Sequence, residues 1–273
     1  MAIKVLDNIG RSGFRVASVT VRRRRESTSW QESQQDDSLA EECPIAFSYN
    51  GQTQAVMMAT PTDLEDFALG FSLSEGIIEN AKELYDLSVI DHGARGIELN
   101  LHIHGARLDA LKQQRRTLAG PSGCGLCGKD SLDQVNRALP TATPRPIPNA
   151  VAIQTALNQL QNYQPLQQLT GAIHAAAWCD AAGRIQCVRE DVGRHNALDK
   201  LIGALQRECI DTESGFVLLS SRASFELVAK AAQCNLGALV TVSGASSLAV
   251  QQAKQSGIRL VGFARDGRHL VYG

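Results

Sequence analysis

Phe216-Val217-Leu218-Leu219, left by Ser220-Ser221-Arg222-Ala223-Ser224 and a helical stretch from Phe225 to Cys234, begins the run that decides the fold. Ala238 to Val242 repeats the unit, with Ser243-Gly244-Ala245-Ser246-Ser247 as its exit and Leu248 to Ser256 as its helix. Ile258 to Phe263 is a last strand, left by Ala264-Arg265-Asp266-Gly267-Arg268. Apolar strands alternating with helices imply right-handed βαβ units and a largely parallel sheet between layers of helices, an α/β fold. Just upstream, Gly171 to Trp178 and Arg184 to Arg189 read as a hairpin around Asp180-Ala181-Ala182-Gly183. Asp191-Val192-Gly193-Arg194-His195 then leads into a helix from Asn196 to Leu205.

The first half reads differently. Ile45 to Tyr49 and Thr53 to Ala59 flank Asn50-Gly51, which supplies the positive φ angles of a type I′ hairpin. Pro61-Thr62-Asp63 opens a helix with apolar positions at Leu64, Phe67, Ala68 and Phe71, ending at Glu75-Gly76. Ile97, Leu99, Leu101 and Ile103 alternate with polar residues as a half-buried strand, on which His102 and His104 point the same way, either as solvated residues, the favoured reading, or as ligands. A short helix from Arg107 to Arg116 follows. Prolines at 140, 144, 146 and 148 mark a linker. The expected organisation is a poorly structured tail over 1–42, carrying Arg22 to Arg25, a smaller α+β domain over 43–139, a linker over 140–150 and the α/β domain over 151–273.

The composition bounds the function. The 273 residues are 44% hydrophobic and 20% charged, with a formal net charge of -1. That describes a globular protein with ample core, and it lacks the positive field of a nucleic-acid or membrane-surface binder. Seven cysteines form no disulfide framework, no stretch can span a bilayer, and the expectation is a cytoplasmic protein in a reducing compartment.

Ligands of open α/β sheets bind beyond the carboxyl ends of the strands. The exits here are small, hydroxylated or cationic, which lets a backbone approach a ligand and offers helix N-termini to an anion. Ser221, Arg222, Ser243, Arg265 and Arg268 are the candidates for a phosphorylated ligand, and Asp266 could accept two hydrogen bonds from a guanine edge. Taken singly, Ser220, Ser224 and Ser246 read as helix N-caps. The crowded motif Glu190-Asp191-Val192-Gly193-Arg194-His195-Asn196 reads either as a salt-bridged cap or as a wall of the same cleft, which makes His195 a candidate. His174, in an otherwise apolar strand, has a satisfied core histidine as its default reading and a cleft residue as its lesser one. No Walker loop or Gly-x-Gly-x-x-Gly fingerprint is present.

The remaining chemistry sits in Gly120-Pro121-Ser122-Gly123-Cys124-Gly125-Leu126-Cys127-Gly128-Lys129. Two thiols three positions apart can share a metal, form a disulfide or pass a sulfur atom. A zinc deaminase would need a His-x-Glu, which the sequence lacks. A structural zinc site would need two more ligands, and a thioredoxin pair should open a helix directly after a strand. Arg115, Arg116 and Lys129 sit close enough in sequence to favour a thiolate at Cys124.

These segments together resemble the FdhD family, the sulfurtransferases needed for formate dehydrogenase activity. The likeness is carried by Leu118 to Gly128, Asp63 to Ile78, Leu169 to Ala177, Glu190 to Lys200, Leu219 to Glu226 and Leu260 to Arg268, in family order over about residues 42–273. The resemblance implies a C-terminal cytidine-deaminase-like α/β/α domain of three layers, without zinc. It also implies a catalytic Cys124 that carries persulfide, with Cys127 as its companion. Sulfur would come from a cysteine desulfurase and go to the molybdenum bis-guanine-dinucleotide cofactor of formate dehydrogenase. That cofactor would bind at Phe263, Ala264, Arg265, Asp266, Gly267 and Arg268, where Ala264 and Asp266 depart from the family's pattern. A homodimer is implied as well, with no metal, nucleic-acid or membrane partner. The competing reading is a cofactor chaperone with no covalent step.

Overall fold

The structure is a computed structural model, and it describes residues 11–24, 30–108, 111, 139–265 and 267–272. In the second half a six-stranded sheet has the order β12-β11-β10-β9-β7-β8. Its strands are β7 His174–Cys179, β8 Ile185–Asp191, β9 Phe216–Leu219, β10 Ala238–Thr241, β11 Arg259–Arg265 and β12 Arg268–Val271. The strands β9, β10 and β11 are parallel, as the repeated βαβ pattern requires. The sheet as a whole is mixed rather than largely parallel. The tight turn after β7 makes β8 antiparallel to it, β7 runs antiparallel to β9, and the chain turns back at β11 to add β12 as an antiparallel edge.

Every residue of β9 and β10 is buried, because both faces of the sheet are covered. On one face Ala175, Ala177, Phe216, Leu218, Val240 and Val261 pack with Ala152, Ile153, Ala156 and Leu160 of α2, Ala150–Leu160. On the other face Trp178, Val217, Leu219, Leu239 and Leu260 join the helices α4 Arg194–Arg207, α5 Phe225–Gln233 and α6 Ser247–Gln255. A short α3, Pro165–Thr170, and the helix α2 were not apparent in the sequence. The proline-marked segment lies against this half through Ala142 N–H to Ser256 O (2.8 Å) and Arg259 Nε to Arg145 O (3.1 Å).

The first half carries a four-stranded sheet, β4-β3-β6-β5. Cys43–Tyr49 (β3) and Gln52–Ala59 (β4) form the expected hairpin, and Asn50 and Gly51 at its turn have φ of 48° and 80°. Leu84–Asp91 is β5 and Ile97–Ile103 is β6, at whose end His102 and His104 are exposed. The helix α1, Leu64–Ser74, packs Phe67 and Phe71 against Phe47 of this sheet. Its other side crosses α4 so closely that Gly70 and Gly203 each lie against the partner's backbone. One apolar cluster therefore runs from β3 through α1 and α4 to the six-stranded sheet.

Residues expected to form a loose tail instead include an antiparallel ribbon, Phe14–Arg24 (β1) with Trp30–Ala40 (β2). The β-branched Val16, Val19, Thr20 and Val21 favour extended backbone, a preference that the polar composition around them conceals.

Candidate functional site

Backbone bonds hold the strand exits side by side beyond the sheet. Ser243 N–H reaches Ser221 O (3.3 Å), Ala223 N–H reaches Gly244 O (3.0 Å), and Phe263 N–H reaches Ser243 O (3.0 Å). The sheet's parallel register thus continues into the loops, and the side chains there converge.

A cleft of about 580 Å³ opens at this end, lined by His174, Arg194, Ser220, Ser221, Arg222, Ser243, Gly244, Ala245 and Ser246. It contains two guanidinium groups and several hydroxyls, and no carboxylate is among those lining residues. The N-termini of α4 and α6 lie at its wall, and their unsatisfied N–H groups favour negative charge. Ser246 also accepts from Ala249 N–H as the α6 cap (3.3 Å). Ser220 and Ser224 do not act as the expected caps. Ser220 Oγ accepts from Ala175 N–H (2.9 Å), and Ser224 Oγ shares a hydrogen with His195 Nε2 (3.2 Å).

Phe263 sits in the left-handed region, φ 52°, an expensive conformation for an aromatic residue. This turn lays its ring against Gly244, where an added Cβ would lie 2.7 Å from the ring, and the guanidinium carbon of Arg265 stands 5.9 Å over the ring centre. Phe263 is thus a wall of the cleft's Ser243–Gly244 loop. Ala264 faces the opposite layer, fully buried against α2. Gly267 and Arg268 line a separate groove with Ala150 to Asn158. Alternation along β11 sends neighbouring side chains to opposite faces, so the six-residue segment does not act as one surface. Asp266, like Cys124, Cys127, Arg115, Arg116 and Lys129, lies outside the described residues.

The Glu190 to Asn196 motif divides in the same way. Asp191 is fully buried and takes four donors: Thr60 N–H (2.9 Å), Lys200 Nζ (2.7 Å), Gly193 N–H (2.7 Å) and Asn196 Nδ2 (3.0 Å). Lys200 Nζ also donates to Thr60 O (2.9 Å). The salt-bridged part of the reading holds through Lys200, while the cap part does not, since Gly193 is the N-cap of α4 with no side-chain cap bond; the lock ties the first half to α4. Arg194 alone of the motif lines the cleft. His195 stands behind it, 3.8 Å from Glu226 Oε2, and burial together with the charge of Arg194 pushes its pKa down to about 4. It is a neutral, bonded imidazole. Sequence reasoning did not single out Arg194, and it put the core reading of His174 ahead of the cleft reading, though His174 lines the cleft.

Fold and cleft together define an α/β protein with a cleft of arginines, serines and helix N-termini at the carboxyl ends of a mixed sheet. The model of the FdhD/NarQ family matches residues 40–273, and the chain belongs to that family. It is 53% identical over 241 residues to the sulfur carrier protein FdhD of Cupriavidus necator, covering 86% of this chain and 82% of that protein. The sulfur carrier protein FdhD of Xanthomonas euvesicatoria is 49% identical over 253 residues, covering 93% and 89%. A crystal structure of a candidate formate dehydrogenase accessory protein from Desulfotalea psychrophila shares the fold. Its TM-score is 0.69 at 23% identity, over 95% of this chain and 96% of that one. No helix among the described residues is long and apolar enough to cross a membrane.

Proposed function

We propose that this chain is a sulfur carrier that takes sulfur from a cysteine desulfurase as a persulfide on Cys124. It then delivers that sulfur to the molybdenum bis-guanine-dinucleotide cofactor destined for formate dehydrogenase. The observation that carries the reading is the arginine- and serine-lined cleft, in a chain with a Cys-x-x-Cys motif and relatives named sulfur carriers. We read the protein as a cytoplasmic homodimer whose six-stranded half is the cytidine-deaminase-like layer.

In the loading step the Cys124 thiolate attacks the outer sulfur of the donor's persulfide. A new S–S bond forms on Cys124, the donor's S–S bond breaks, and the donor cysteine leaves as a thiolate. The acceptor is a substrate whose pyrophosphates need cations and N–H donors, and Arg194, Arg222, the serines and the α4 and α6 N-termini fit it. None of the described lining residues carries a carboxylate that would repel it. Cys127 is placed by its spacing to attack Cys124 and close a disulfide, expelling sulfide.

The test is peptide mass spectrometry after incubation with a cysteine desulfurase and free cysteine, without reductant. A one-sulfur mass gain on the Cys124 peptide, absent in Cys124→Ala, is expected. An unmodified peptide beside an active desulfurase would refute the covalent step and leave a cofactor chaperone.

A further inference from the structure

The cleft continues past its arginines. His174 and Ser220 also line a second hollow of about 450 Å³, together with Gln164, Gln167, Gly171, Ala172 and Ile173. The two hollows therefore meet at a waist formed by these two residues. The second lining offers amides and backbone, and the nearby Glu190 carboxylate is occupied by Leu166 N–H (3.0 Å) and Gln167 N–H (2.8 Å). Ser220 Oγ already accepts from Ala175 N–H, which leaves its own proton to donate. The His174 ring, half-buried at the start of β7, has no hydrogen bond to another described residue.

A half-buried imidazole with no hydrogen-bond partner among the described residues, between a cationic lobe and a neutral one, suits a ligand whose charge crosses the waist. We propose that His174 grips the phosphate lying across this waist and takes up a proton as it does so. The proposal rests on the cleft reading above and adds to it the contacting residue and its coupling to pH. Burial and the charge of Arg194 on α4 lower the pKa of the ring more than Asp191 on β8 raises it. Arg222, from the β9 exit, lines the same space. A bound pyrophosphate brings two negative charges to the same place. The imidazole then gains a proton from solvent and presents N–H donors from both nitrogens.

Isothermal titration of the full chain with GDP-mannose tests this, because the phosphates of a pyrophosphate diester do not titrate near neutrality. Measurements at pH 6, 7 and 8, in buffers of different ionisation heat, report both affinity and proton uptake. If the His174 pKa rises by about one on binding, affinity at pH 6 exceeds that at pH 8 by up to about tenfold. His174→Gln is expected to bind more weakly at pH 6, with no pH slope and no proton uptake. Arg222→Ala is expected to bind more weakly at every pH and to keep the slope. Wild-type affinity independent of pH, or a slope that survives in His174→Gln, overturns the proposal and leaves the cleft reading standing. Absence of binding to the wild type overturns both.

Discussion

Replacing Gly203 with alanine should loosen the joint between α1 and α4. A Cβ built on Gly203 lies 1.9 Å from Asp66 O, and one on Gly70 lies 1.7 Å from Asp199 O. An ordinary carbon-to-oxygen approach is roughly 3.3 Å, so the helices must part by more than an ångström at this crossing. The obstacle is backbone, which cannot swing aside as a side chain would. The same displacement pulls on Asp66, held by Arg189 Nε (2.7 Å) and Arg207 Nη1 (2.6 Å), and on the Asp199–Lys230 pair (2.9 Å). Overpacking of this kind costs about 1–3 kcal/mol, and the strained ion pairs add to it. Alanine returns up to about 1 kcal/mol of helix propensity. The expected net loss is about 3 kcal/mol, or about 5–10 °C in Tm for a chain of this size. Urea unfolding and thermal melting would measure it. Gly105→Ala is the control, since a Cβ there meets nothing within 4 Å and should change stability by less than about 0.5 kcal/mol. A Gly203→Ala protein within 1 kcal/mol of wild type would refute the argument.

Two further outcomes follow from buried charge. Lys230 is buried yet stays charged, because Asp199 and Glu75 outweigh the opposition of burial and raise its pKa. Lys230→Met should cost about 3–5 kcal/mol by stranding Asp199, and adding Asp199→Leu should recover most of it in urea unfolding. If the double variant is no more stable than the single, the stranded-charge account fails. His195 has an ordinary pKa of 6.5 and a folded one of about 4, so between these values the unfolded chain holds a proton that the folded chain refuses. Stability from this group is complete above 6.5 and is lost as pH falls towards 4, by about 3 kcal/mol in all. His195→Asn should flatten the stability curve over that window, and parallel curves for variant and wild type would contradict it.

The parts of the fold legible in sequence were those where local chemistry and tertiary packing agree. Asn50-Gly51 dictates its turn, and β9 and β10 are apolar because both faces are covered. The helix α2 was hidden by the prolines leading into it, and the ribbon of β1 and β2 by a polar composition that masks β-branched backbone preference. In the cleft, Arg222 and Ser243 were readable as strand exits. Arg194 was not, since it belongs to a motif whose other members serve a structural lock. His174 was legible only as the lesser reading, since it sits one residue before a fully buried run, Ala175 to Cys179. Which side of a strand end is open to solvent depends on what packs beside it, and that information lies tens of residues away.

The contacts of Thr60 also determine which changes the protein can absorb. Its amide serves Asp191 and its carbonyl serves Lys200, while only the bond from Val192 N–H (3.0 Å) uses its side chain. A joint made mostly of main chain depends on residue 60 arriving in place, and its buried side chain must still be small and accept from Val192. A single inserted or deleted residue between β4 and α1 would misalign the pairing of the two halves and displace Arg194 at the mouth of the cleft.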